Sequence, residues 1–162
     1  MKTALYAGTL TILVPFQATI LGPHSPFGLH PDVCLIAVCL IGYWAGKTEG
    51  MVMGFVLGFS QDLLSAGDGW MNTLTKPGVG FLSAILARNI TNSAANSIFL
   101  PMVVFSIFSG VVFFVSARIS VSFTEILYGF RAVLLPQALI DAVLAVGINW
   151  FINRRSKEFV PA

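Results

Sequence analysis

Charge is what this chain has least of. Asp, Glu, Lys and Arg make up only 10% of its 162 residues, against roughly a quarter in soluble domains, too few polar groups to wrap a globule in water. Nine basic and seven acidic side chains leave a net charge of +2, which is too mild for a nucleic-acid partner. Cysteine is nearly absent. Cys34 and Cys39 lie five apart in one apolar run, on different faces of a helix, so they do not pair with each other and are expected as buried thiols. Histidine is as scarce. His24 and His30 share the segment Gly22–Pro31, where only Asp32 offers a further ligand, so no metal site and no cofactor is expected. There is no strand followed by a Gly-rich, Lys-ended loop, and Gly78–Val79–Gly80 lies inside an apolar run, so no phosphate cradle is present. No Ser-His or Cys-His pair falls at one depth, which leaves an intramembrane hydrolase without support.

What the chain has in abundance is apolar length. Hydrophobic residues make up 56%, and the mean hydropathy is +0.86. Runs such as Ile98–Ala117 are apolar on every face, unlike the alternating strands of an outer-membrane barrel. The expectation is an all-α polytopic membrane protein of one domain. Its six expected spans are Ala4–Leu21, Asp32–Ala45, Gly50–Ala66, Met71–Ala87, Ile98–Ala117 and Leu127–Ile152. A membrane helix needs roughly 20 residues; the second span is the shortest, and a re-entrant or interfacial segment is its alternative reading. The first has the charged start of a signal peptide, but it contains Pro15 and lacks a small-x-small cleavage site, so it is read as a retained helix.

Basic residues orient the bundle. With the N-terminus inside, the cytoplasmic segments hold Lys2, Lys47, Arg88, Arg154, Arg155 and Lys157, and the outer loops hold only Arg118. This is the positive-inside bias, with both termini cytoplasmic.

Chemistry concentrates around the third span. Gly50, Gly54, Gly58 and Asp62 recur at four-residue spacing, and each lies about 40° round the helix from the last. They form one smooth stripe where another helix can come close. Two uses remain open for it, packing within this bundle or docking a partner's membrane helix. An acidic residue in a bilayer calls for a partner or a function; for Asp62 the leading expectation is a structural ion pair with Lys76, and the alternatives are a mechanistic role or contact with a partner's charged residue. The two lie seven residues either side of Gly69, hence at equal depth on antiparallel neighbours. Pro77 follows Lys76 directly, so the fourth helix is expected to begin or bend there, after a tight turn at Ser65–Gly69. In the last span Gln137, Asp141 and Asn149 share one register, with Ala145 in the remaining slot. These polar groups must face inward, because hydrocarbon offers them no hydrogen bonds. Pro136 predicts a kink nearby, and Arg131 is within reach of headgroups, Asp32 or Asp62.

The stretch Pro31–Ala87, through PDVCLIAVCLIGYWAG, GFVLGFSQDLLSAGDGWMNTL and KPGVGFLSAILA, resembles the rod-shape-determining MreD family. The resemblance rests on Pro31, Gly54–Phe55, Gly58, Asp62–Leu63, Ser65, Asn72 and Gly80–Phe81. Ala66 departs from it where a Gly is usual, and Trp70 stands where a small residue is common. The resemblance implies a non-enzymatic protein of the bacterial inner membrane, part of the machinery that elongates rod-shaped cells by lateral peptidoglycan synthesis. Its implied partner is MreC, and through MreC come MreB, RodA and a penicillin-binding transpeptidase, with membrane lipids around it. The implied fold is similar to that of the substrate-binding subunits of energy-coupling-factor transporters, which supplies the alternative function, a small-molecule-binding membrane subunit. For an intramembrane enzyme the available set is Asp32, Asp62 and Arg131, which looks more like ion pairs than a catalytic constellation.

Overall fold

The computed structural model describes residues 8, 12–17, 19, 31–64, 70–89, 95–116 and 123–158. Lys2, His24, His30, Arg118 and the turn 65–69 lie outside these residues. Among those described, the protein is all-helical, with no strand. The helices are α1 (12–16), α2 (Val33–Ala45), α3 (Lys47–Leu64), α4 (Met71–Asn89), α5 (Phe99–Ser116), α6 (Phe123–Gly129) and α7 (Leu135–Glu158). A 3-10 turn, Ala95–Ile98, leads into α5, and a π-helical turn, Phe130–Leu134, joins α6 to α7.

Two helical stretches, Phe99–Ser116 and Leu127–Arg154, are long and apolar enough to cross a membrane. The helices α3 and α4 are as long as α5, at 18 and 19 residues, but between them they carry five glycines and five charged residues, where α5 has Gly110 alone and no charge. At 13 residues, α2 is about 20 Å long. It occupies the centre of the bundle. Cys34 and Val38 pack with Val14, Met53 and Leu57 on one side. Leu35, Ile36 and Cys39 pack with Val79, Met102, Ala142 and Ala145 on the other. Both cysteines are buried and free, each in a different cluster.

Three local features depart from the expectations. The turn between α2 and α3 is one residue, because Gly46 adopts φ 109°, a left-handed conformation that glycine takes without strain. α3 therefore starts at Lys47, ahead of the expected Gly50. Of the two expected effects of Pro77, the late start is not seen, because α4 runs through it from Met71; the proline removes one donor, and the tight seat of this turn against α3 holds the helix. The irregularity near Pro136 is the π-turn just before it, where Leu135 N–H donates to the Phe130 carbonyl.

The contacts place the helix ends. Tyr43 and Ser97 hydroxyls bond at 3.0 Å, and Trp44 Nε1 donates to Asn149 Oδ1 at 3.0 Å. These bonds gather the end of α2, the start of α5 and the end of α7. At the opposite end of α2, Asp32 meets α4 and α7. The helices thus alternate in direction. Lys47 stands over the Phe81 ring and Arg154 over the Trp150 ring at the Trp44 end, with cation–ring distances of 5.5 and 5.3 Å.

Beside the apolar core, polar groups are buried and large apolar side chains are exposed. Lys76, Asp141 and Asn149 are fully buried, while Leu74 is 71%, Leu100 70% and Val143 62% exposed. Charged side chains are almost never fully buried unless paired.

Candidate functional site: a buried polar junction

Gln17, Gln61, Lys76, Ser106 and Asp141, all buried, gather around Asp32. Its carboxylate caps α2, with Oδ1 accepting from the Leu35 N–H at 2.9 Å, as an N-cap aspartate does. The same oxygen accepts from Gln17 Nε2 at 2.9 Å, and Gln17 Oε1 accepts from the Cys34 N–H at 2.9 Å. Gln17, just after α1, is thereby fastened to the first turn of α2. Lys76, reaching from the second turn of α4, donates to both Asp32 oxygens at 3.1 and 3.0 Å and to Gln61 Oε1 of α3. The Lys76 side chain is 0% exposed and that of Asp32 15%. On the far side, the Asp32 N–H donates to Asp141 Oδ1 of α7 at 3.0 Å, and Ser106 Oγ of α5 donates to Asp141 Oδ2 at 2.6 Å. Elements α2, α3, α4, α5 and α7 and the residue after α1 all meet here. Buried charges are tolerated when paired and fully hydrogen-bonded, and this junction meets both conditions for Asp32 and Lys76.

The expected Asp62–Lys76 pair is not formed; Lys76 pairs with Asp32. Asp62 instead holds the head of α4. Its Oδ1 accepts from Asn72 Nδ2 at 2.8 Å and from the Asn72 N–H at 3.3 Å, and its Oδ2 accepts from the Thr73 N–H at 2.8 Å and Thr73 Oγ1 at 2.6 Å. The first amides of a helix lack intrahelical partners, and a carboxylate there is favoured by the helix dipole. Equal distance from the turn does set the two groups on facing helices, but Asp62 points at the start of α4. Gln61, one residue and about 100° away, points at Lys76. Removing the Asp62 carboxylate with Asp62→Ala leaves these donors without their acceptor. The expected loss is about 1.5–3 kcal/mol, read as a lowered thermal midpoint of the purified protein in detergent.

The glycine stripe has one use within the bundle. A Cβ on Gly50 would stand 2.5 Å from the Gly80 carbonyl and 2.6 Å from Gly42 Cα, and one on Gly54 would stand 2.5 Å from the Lys76 carbonyl. One on Gly58 would strike the Asn72 carbonyl. Helix α4 therefore covers the stripe from end to end, and the reading of Gly50, Gly54, Gly58 and Asp62 as a face for a partner's helix is overturned. A helix already seated with backbone in contact leaves no room for another.

In the last helix Asp141 and Asn149 are fully buried, with Ala145 between them, and Gln137 is half-buried. Asp141 belongs to the junction, and Asn149 accepts from Trp44 at the other end. Arg131 is exposed on the π-turn, so Asp32, Asp62 and Arg131 do not come together. Ser106 donates to a carboxylate, and among the described residues no group of three or more His, Cys, Asp or Glu gathers.

Gln17, Gln61, Ser106, Gly42 and Gly80 were not anticipated at these positions. Gln17 and Gln61 carry a visible signal, an uncharged polar group inside an apolar run; Ser106 carries none, since serine is ordinary in apolar helices. Comparison with protein-family models, curated protein sequences and solved structures found no match to this chain.

Proposed function

We propose that this chain is a six-helix integral protein of the bacterial inner membrane, with both ends cytoplasmic. In this reading it serves as a non-enzymatic adaptor of the cell-elongation machinery by binding MreC. The membrane part is supported by two helical stretches of spanning length and by large apolar side chains such as Leu74, Leu100 and Val143 that face outward while Lys76 is buried. Lys47 and Arg154 at the Trp44 end match a cytoplasmic face carrying basic and aromatic residues.

One observation carries the elongation reading. The residues behind the resemblance to the MreD family are the ones that interlock α3 with α4: Gly54 and Gly58 against the α4 backbone, and Asp62 on Asn72. Gly80 closes the same hairpin at Gly50. A motif that builds a close-packed hairpin has reason to recur as a unit. The MreC contact lies elsewhere on the bundle, since α4 occupies the glycine face.

The test is recovery of MreC with the tagged chain from native membranes, followed by native mass spectrometry. The expected result is co-purification of MreC with no small-molecule ligand. Recovery of correctly inserted protein without MreC would refute the adaptor. A bound small molecule in its place would favour the transporter-subunit alternative.

A further inference from the structure

We infer that α3 and α4 do not enter the membrane independently but as one insertion unit with α2, with Lys76 as the residue that enforces the order. The inference rests on the six-crossing reading above. α5 and the α6–α7 rod are apolar enough to partition alone, whereas α3 and α4 are not among the apolar stretches of spanning length. Lys76 sits five residues into α4, about 7.5 Å from its start, with 0% of its side chain exposed. There a lone ammonium is costly in hydrocarbon.

Among the described residues, the polar partners of the Lys76 ammonium come from the two preceding helices: both oxygens of Asp32, at the head of α2, and Oε1 of Gln61, near the end of α3. The backbone agrees. Gly42 of α2, Gly50 of α3 and Gly80 of α4 meet at a point where an added Cβ on any of them would strike another's backbone. This fit exists only when the three helices are side by side. An α4 that left the insertion machinery before meeting Asp32 would carry an unneutralised cation into lipid.

The experiment reads the position of the outer turn in the full-length chain. A Gly67→Cys reporter is labelled from outside intact spheroplasts with a membrane-impermeant maleimide, and the same chain without the reporter is the blank, because Cys34 and Cys39 are buried. Asp32→Asn keeps a capping side chain but removes the charge, and it is expected to lower external labelling per chain by roughly tenfold. Adding Lys76→Met to Asp32→Asn is expected to restore labelling, since no cation then remains to be neutralised. Unchanged labelling with Asp32→Asn overturns the inference, and so does a loss that Lys76→Met fails to restore. No labelling in the otherwise unaltered chain overturns the six-crossing reading itself, and this inference with it.

Discussion

Lys76→Met lowers the stability of the folded bundle by about 3–5 kcal/mol, the cost of leaving one partner of a buried ion pair unpaired. The carboxylate of Asp32 then keeps Gln17 and the Leu35 N–H but loses the cation that pairs with it among the described residues. Adding Asp32→Asn to the same chain removes the stranded charge and recovers most of the loss, since neutral replacements of a buried pair are often tolerated. Thermal unfolding of purified protein in detergent measures both steps, and a double variant as weak as Lys76→Met alone would refute the ion-pair account. The substitution acts in opposite directions at two stages. Lys76→Met eases the entry of α4 into a bilayer by removing a charge, and it weakens the finished bundle by orphaning Asp32. A merely space-filling lysine would do neither.

Gly58→Ala and Gly58→Leu abolish recovery of monodisperse folded protein to nearly the same degree. The reason for equality is that the collision begins at Cβ, against the Asn72 carbonyl and the Thr73 amide. Overpacking usually costs about 1–3 kcal/mol because neighbouring side chains give way; here the neighbours are backbone of a capped helix turn, and no rotamer relieves the contact. Parting α3 from α4 also pulls Asp62 from Asn72 and Thr73. The control is Gly78→Leu on the outer side of α4, where an added Cβ meets nothing within 4 Å and the change is expected to stay within about 0.5 kcal/mol. Size-exclusion profiles after graded heating separate the two. A Gly58→Leu protein as heat-resistant as the Gly78→Leu protein would refute the close-packed hairpin.

These two results mark where sequence reasoning reaches and where it stops. The four-residue register of Gly50, Gly54, Gly58 and Asp62 follows from helix geometry alone, and so does the inward register shared by Asp141 and Asn149. Periodicity reports which residues share a face of one element. It says nothing about which element will cover that face. Lys76 lies 14 residues from Asp62 and 44 from Asp32, and reasoning from the nearest turn favoured the shorter separation. The choice is made by tertiary packing. α2 sits in the middle of the bundle and presents its first turn to α4, while the head of α4 takes the Asp62 carboxylate for its own unbonded amides. Gly46 was similarly opaque, because a one-residue turn and a short loop have the same composition. Pro77 allows a late start or a bend, and α4 excludes the late start. Its cost to a helix is a general property, and the continuous α4 reflects a specific seat against Gly54 that no local rule contains.

The π-turn at Phe130–Leu134 sets a phase. In a regular helix Gly129 and Asp141, twelve residues apart, would point about 120° from each other. A turn that spends one residue more shifts the phase by about one residue's 100°, which leaves the two only about 20° apart. That slip is why Gly129 can receive the Phe114 ring of α5 while Asp141, farther along the same rod, still meets Ser106 of α5. Shortening the segment by a single residue would convert it into ordinary α-helix. With α7 anchored by Asp141 and Asn149, the whole of Phe123–Gly129 would then swing to a new side of the rod, turning a one-codon deletion into a rotation of α6.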